Sequence, residues 1–303
     1  MVLNGERRLK SGSMNDGRPE SGRLNIEKSN IQESDTERSN TERSNTERSN
    51  TERSNTDRAD AEKSFTKKPG TDNLYSIITV PMGHSNSFLI VSKGRGILVD
   101  AGHPGKIKNL QIALERNHLG FPDIVLVVLT HTHYDHVGCL AEIKEKSGAK
   151  ILVHAAEKEF LEKGATPFPR GTSWFSKIIS RIGNTFMLSK SRYQPVVSPD
   201  IVVKDRYDLG KYISRTKIIP TPGHTAGSIS LVIENEAAFV GDTLFNVMPG
   251  TVFPPFADDV PELLKSWKLL IDSGCRTYYP GHGKPITLQK LKASYEKRTK
   301  RSK

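Results

Sequence analysis

The sequence predicts a mixed α/β (α+β) domain whose sheets are covered by helices, and three observations lead there. Short apolar segments separated by turn residues come in consecutive pairs toward both ends of the domain, as neighbouring strands do. Between the pairs, strand-like and helix-like segments alternate from about residue 106 to residue 161, the pattern of strands linked by covering helices. The third observation places the start of the domain. Residues 1–70 hold 11 members of the hydrophobic set (AVILMFWYC), with none from Gln32 through Arg58. That is too little apolar surface to offset the entropy of ordering the chain.

Residues 1–70 therefore read as a disordered, low-complexity tail, and residues 71–303 as one folded domain. TERSN occurs four times in tandem from Thr36 to Asn55, followed by TDRAD. A helix turns about 100° per residue, so a five-residue period rotates each copy by roughly 140° and builds no stripe. Lys67-Lys68-Pro69-Gly70 marks the boundary. Beyond it Leu74–Val80, Ser87–Val91 and Gly96–Val99 read as strands, broken by Pro81-Met82-Gly83 and Lys93-Gly94. Residues 106–117 read as a helix, with Ile107, Leu110 and Leu114 at helical spacing. Ile124–Leu129 is a fully apolar strand, and Val137–Lys146 a helix stopped at Ser147-Gly148. Ile151–Val153 is a strand, followed by a helix through Phe160 and Leu161. An irregular middle segment comes next. Strands follow at Ile218–Ile219, Ser228–Ile233 and Ala237–Val240, then a helix at Pro261–Ile271, a strand at Arg276–Tyr279 and a helix from Thr287.

Composition excludes several classes. Two cysteines, Cys139 and Cys275, cannot form a framework of several bridges or a CxxC zinc site. The longest apolar run, Ile124–Leu129, is far short of a bilayer span. MVLNGERRLK lacks the apolar region of a secretory signal, so the expected location is the cytoplasm. The net charge of +11 is concentrated in two places: 11 basic against 3 acidic residues in 163–217, and 8 against 1 in 284–303.

HTHYDH, His131 to His136, lies immediately after the apolar strand and before a helix. Two histidines at i and i+2 leaving a strand point the same way, and Asp135 and His136 add an oxygen and a nitrogen at the helix start. Imidazole with carboxylate suits zinc, and also iron or manganese. Three further segments repeat the context: His224 in TPGHTAGS, Asp242 in GDT and His282 in YPGHG each follow a strand in a Gly- or Pro-containing turn. Ligands gathering beyond one end of a set of strands is how sheets commonly build sites. His84, His103, His118 and His154 read as surface, turn or packing residues, with His103 in DAGH the nearest to the motif.

The order HTHYDH, GHT, GDT, GHG resembles the metallo-β-lactamase-fold hydrolase superfamily, and within it the subgroup that binds two metals as glyoxalase II does. The resemblance runs from about Leu74 to Ile286. It implies a four-layer αββα sandwich with the site at the edge of the two sheets. Carried over by position, His131, His133 and His224 would hold a first divalent ion. Asp135, His136 and His282 would hold a second, and Asp242 would bridge the pair; zinc is the expected metal. Asp100 in ILVDAG matches the family's early aspartate, which supports a ligand histidine from behind, and a polar strand end is its alternative reading.

Two ions sharing a carboxylate would lower the pKa of a bridging water from about 15.7 toward roughly 7 and polarise the substrate carbonyl. Asp135 is then the expected catalytic residue, accepting a proton and passing it to the leaving group. The expected function is hydrolysis of an ester, thioester or lactone-type small substrate, anionic if the basic 163–217 segment borders the groove; substrate-binding residues are not identified. There Trp174, Ile178, Ile182 and Phe186 have helical spacing, either as an amphipathic lid or as core, beside Lys177, Arg181, Lys190 and Arg192. Only 21 residues follow His282, leaving little for a glutathione-binding helical region, and Phe245 stands where lactonases often carry tyrosine. A mononuclear-iron persulfide dioxygenase and a phosphodiesterase or nuclease of the same fold are the alternative readings. The expected partner is a small molecule, with no membrane contact; nucleic acid belongs to the nuclease alternative, which the basic C-terminus favours. A binding or scaffold protein on a degenerate version of the fold would have lost ligands, and all seven are present.

Overall fold

The computed structural model describes residues 63–64, 75–186, 192–196 and 198–301. The TERSN repeats, the 67–70 boundary and the start of the first strand at Leu74 lie outside them. Thirteen described strands form two sheets. The first runs in spatial order β1 (Lys63–Ser64), β2 (Ser76–Pro81), β3 (Asn86–Ser92), β4 (Arg95–Val99), β5 (Ile124–Val128), β6 (Lys150–His154), β7 (Ile201–Val203). The second runs β13 (Ile286–Thr287), β12 (Thr277–Gly283), β11 (Ala237–Asn246), β10 (Ile229–Ile233), β9 (Thr216–Pro220), β8 (Tyr207–Asp208). Pairing is antiparallel through β4, and β4 through β7 are parallel because helices return the chain to the same edge.

Side-chain alternation along each strand creates the layers. Ile77, Phe88, Ile90, Ile97 and Leu126 face the second sheet and meet Ile218, Leu231 and Phe239. Their sequence neighbours Ile78, Leu89, Leu98 and Val127 face the other way. They pack on Leu110 and Leu114 of α1 (Ile107–Arg116) and on Leu140 and Ile143 of α3 (Leu140–Ser147). Beneath the second sheet, Val232, Ala238 and Val240 cover Leu263, Trp267 and Leu270 of α6 (Val260–Asp272) and Leu291 of α7 (Leu288–Arg301). The result is the four-layer αββα sandwich. Helix α6 starts where Asp259 accepts a hydrogen bond from the Glu262 amide at 2.9 Å, with Pro261 in its first turn. Its Trp267 is fully buried and donates to the Thr243 carbonyl at 2.7 Å, tying the helix to the strand residue beside Asp242. Trp267→Ala would remove that tie and leave a cavity costing about 3–5 kcal/mol.

Two boundaries differ from the expectation in ways that shape the site. The helix expected over Val137–Lys146 is two pieces, α2 (Tyr134–Val137) and α3, separated at Gly138-Cys139. A Cβ on Gly138 would lie 2.2 Å from Pro104 Cδ, so the chain presses against the 102–104 turn there and breaks the helix. Strands β11 and β12 run past the expected ends, through Asp242 and His282. They pair in parallel with register shifts on both sides of Gly241, so these residues sit on a bulged strand pair and not in turns after it. The middle segment contains α5 (Trp174–Phe186), where the apolar spacing suggested a helix, and is more ordered than expected in also containing β7 and β8. No helix among the described residues is long and apolar enough to cross a membrane.

Candidate metal centre

All seven residues singled out in the sequence converge, from the segment after β5, the β9–β10 turn, the bulged middle of β11 and the end of β12. Their donor atoms form three overlapping groups: His131, His133 and His224; His131, His136 and Asp242; Asp135, His136 and His282. Within each group the donors lie within 4.8 Å of one another. His131 and His133 leave β5 as an extended segment, and Asp135 and His136 occupy the first turn of α2. His224 sits in a turn opened by Gly223, whose φ of +129° and missing Cβ allow close packing on the Leu263 backbone.

Hydrogen bonds behind the rings fix their tautomers. His136 Nδ1 donates to Asp100 Oδ2 at 2.9 Å, His224 Nδ1 to the Phe256 carbonyl at 3.0 Å, and His282 Nδ1 to the His84 carbonyl at 2.7 Å. Thr130 Oγ1 gives its proton to Asp100, so it accepts from His131 Nδ1 at 3.1 Å. Each of these four rings is left with an Nε2 lone pair aimed into the cluster. His133 turns the other nitrogen inward, placing Nδ1 3.0 Å from His224 Nε2.

Asp242 lies between the groups. Its Oδ1 is 3.3 Å from His136 Nε2, and its Oδ2 is 3.4 Å from His282 Nε2 and 3.7 Å from His224 Nε2. Asp135 Oδ2 is 3.3 Å from His282 Nε2 and 3.9 Å from His136 Nε2. His131 Nε2 and Asp242 Oδ1 are buried with no hydrogen-bond partner. A lone pair and a carboxylate oxygen left bare in the interior are costly, and a divalent cation is the partner their chemistry fits. Gly281 keeps the space open, since a Cβ there would lie 2.5 Å from His136 Cε1 and 2.6 Å from Asp242 Oδ1.

The electrostatics split the cluster. Burial, then repulsion from neighbouring imidazoles, drives His131 well below the ordinary histidine range and His133 down to about 3. Burial works the same way on His136 and His282, but Asp242 and Asp135 outweigh it. They hold His136 well above the usual value and His282 at about 10, a negative field that favours positive charge at each Nε2, where a divalent cation would compete with a proton. Burial would raise Asp135, yet His136 and His282 bring its carboxyl to about 2.

Asp100 lies directly behind the site: buried, in a left-handed conformation with φ of +61°, it accepts from the Thr130 amide at 2.8 Å as well as from His136. Among the remaining histidines, His154 caps α4 (Ala155–Lys163), accepting from the Ala156 amide, and His118 is exposed. His103 packs edge-on against His84 and Tyr134 at the rim and belongs to none of the donor groups. Phe245 stacks on the His282 ring with centroids 4.4 Å apart.

One residue the sequence did not reveal is Glu157. It is buried, and its Oε2 accepts from the Thr132 amide at 3.0 Å while Oε1 accepts from Thr225 Oγ1 at 2.7 Å and the Gly227 amide at 3.2 Å. It thereby clamps the HTHYDH loop to the turn that carries His224. In AAEKEFLEK a single glutamate reads as one of several solvated charges, so the local pattern carried no signal for it.

The profile of the metallo-beta-lactamase superfamily matches residues 80–282. A "probable metallo-hydrolase" of Methanocaldococcus jannaschii is 30% identical over 203 residues, covering 66% of this chain and 87% of that protein. A hydroxyacylglutathione hydrolase of Pelagibacter ubique is 29% identical over 170 residues, 55% of this chain and 54% of its own length. Among solved structures, a metallo-beta-lactamase family protein of Thermus thermophilus aligns with a TM-score of 0.55 at 24% identity, over 75% of this chain and 80% of the other. A subclass B3 metallo-beta-lactamase of Bradyrhizobium japonicum aligns with a TM-score of 0.55 at 19% identity, covering 76% and 90%.

Proposed function

The chain belongs to the metallo-beta-lactamase superfamily and is a metal-dependent hydrolase; on that premise we propose that it uses two divalent ions, zinc by preference, to cleave a small ester, thioester or lactone. The observation that carries this reading is the position of Asp242, whose carboxylate touches both proposed sites: Oδ2 is 3.7 Å from His224 Nε2 and 3.4 Å from His282 Nε2, and Oδ1 is 3.3 Å from His136 Nε2. His131, His133 and His224 would hold one ion, and Asp135, His136 and His282 the other. When bound, such a pair supplies Lewis acidity toward the carbonyl oxygen and makes water a nucleophile at neutral pH.

The chain's own groups do the rest. Asp100 and the Phe256 and His84 carbonyls hold His136, His224 and His282 in the tautomer that points Nε2 at the cluster. The Asp135 carboxylate is kept ionised by its histidine neighbours, so it can accept a proton and return it to the leaving group. Phe245 presents a hydrocarbon wall over His282 and has no hydroxyl to donate to substrate. Similarity to relatives named hydroxyacylglutathione hydrolase supports acyl-ester or thioester chemistry. The two free, buried cysteines suit a reducing cytoplasm as the working compartment.

A panel of carboxylic esters, thioesters and lactones, assayed on protein stripped by chelator and restored with zinc, tests the proposal. Zinc-dependent turnover, with Asp135→Asn keeping its metal and losing about 100-fold or more in kcat, is the expected result. A single iron per chain with oxygen uptake on thiol substrates would contradict it and favour the dioxygenase reading.

A further inference from the structure

Helix α5 is built inside out. Its small polar residues face the protein: Ser176 is 3% exposed and Ser180 7%, and Ser180 Oγ donates to the Pro169 carbonyl at 2.7 Å. Its large apolar residues face outward: Trp174 is 77% exposed and Ile182 52%, with Phe175, Ile178 and Ile179 also exposed. At about 100° per residue, these five side chains span an arc of about 140°, centred about 150° from the two serines. Lys177 and Arg181 are exposed along one flank of that arc. The Phe186 side chain lies outside those described. The stripe that the sequence offered as lid or core is therefore not buried in the core.

Burying five such side chains is worth several kcal/mol to whatever covers them, and exposed apolar surface of this size marks an interaction face. The segment 1–70 is a poor cover, with 11 apolar residues in all and none from Gln32 through Arg58. A second copy would bring up the same 163–217 segment, with its 11 basic and 3 acidic residues, against itself. An anionic surface has neither defect. Tryptophan and phenylalanine at one end, isoleucines along the face and basic residues on the flank are the composition of a helix that lies in a membrane interface.

We propose that α5 docks this enzyme onto an anionic lipid surface, with Trp174, Phe175, Ile178 and Ile182 in the headgroup–acyl boundary. A helix lying in the interface needs no spanning segment, so the short apolar runs of the sequence do not oppose the proposal. The docking face is mechanically close to the metal centre. Thr172, just before the helix, donates from its amide to the Pro255 carbonyl at 2.9 Å, and Gly171 bridges Phe256, whose carbonyl holds the His224 ring. Amphiphilic acyl substrates would reach the site from the surface on which the enzyme rests.

Co-sedimentation of the full chain with vesicles of phosphatidylcholine, with and without phosphatidylglycerol, tests this independently of any activity. Trp267 is fully buried and Trp174 exposed, so a blue shift of tryptophan emission on binding reports Trp174. The expected result is binding that requires phosphatidylglycerol, weakens with salt, and falls about tenfold or more in the exposed-face variant Ile178→Ser/Ile182→Ser. Lys177→Glu should weaken it less. No binding, equal binding to neutral vesicles, or binding unchanged in the serine variant would overturn the proposal. So would concentration-dependent dimerisation abolished by that variant in the absence of vesicle binding, which would assign the face to a second copy.

Discussion

The two sheets contribute to the candidate metal centre in different ways. The first supplies four of the seven donors from six consecutive residues at the end of β5, where an extended segment runs into the first turn of α2. The second supplies three donors from three separate places, the β9–β10 turn, the bulged middle of β11 and the far end of β12. Geometry in the first half is set locally, by the φ and ψ of a short loop. In the second it depends on strand register and on close backbone packing. The two halves are therefore vulnerable in different ways: the scattered half fails through small steric changes, and the contiguous half through loss of what pins its loop.

The largest effect should come from the scattered half. Gly281→Ala would push a methyl group into His136 Cε1 and Asp242 Oδ1, and neither can retreat, because each is packed among other donors. We expect a folded protein by circular dichroism with metal affinity reduced about 100-fold or more, since even outer supports are worth 10–100-fold. Full metal content in this variant would show that β12 is not held in register as described.

Glu157→Ala attacks the seam between the halves. It would strand the Thr132 and Gly227 amides and leave the Thr225 hydroxyl only Ser228 Oγ, and hydrogen bonds to a charged group are worth about 1.5–3 kcal/mol each. Chemical denaturation should show a loss of about 3 kcal/mol or more, and a stability change within experimental error would refute the clamp. Asp100→Asn is milder. The His136 ring loses its anionic support, and metal affinity should fall about 10-fold, read by competition with a chelator.

The smallest effect belongs to the periphery of the first sheet, where Asp200 accepts from Lys144 Nζ at 2.7 Å and from the Ile151 amide at 2.9 Å. Burial pushes its carboxyl upward, but Lys144 and that amide together outweigh it and pull it below the usual 3.8. A depressed carboxylate stabilises the fold above its unfolded pKa, and that contribution disappears as pH falls through the lower folded value. Asp200→Asn should therefore cost about 0.5 kcal/mol at pH 7, as exposed pairs do, and almost nothing at pH 2. A penalty that grows on acidification would reverse the sign argued here.

The same contrast explains what could be read from the sequence. HTHYDH was legible because its donors are neighbours in the chain, and the strand before it is six apolar residues long. His224, Asp242 and His282 were legible only as a set, each following a strand. That Asp242 and His282 lie within longer strands was not, because a parallel pair with a bulge at Gly241 leaves no periodic trace. Glu157 was invisible for the opposite reason: its local pattern suggests a solvated helix face, and its burial is imposed by Thr132 and Thr225 from elsewhere in the chain. The α5 stripe gave a correct helix, but spacing alone cannot tell which face of a helix meets the protein. Here two serines do.

In the proposed function Asp242 joins two metal positions into one centre. Elemental analysis of the purified full-length chain beside Asp242→Ala tests it most directly. About two zinc ions per chain are expected, as two complete donor groups require, falling to one or fewer on substitution. A single ion per chain, retained in full by Asp242→Ala, would contradict it.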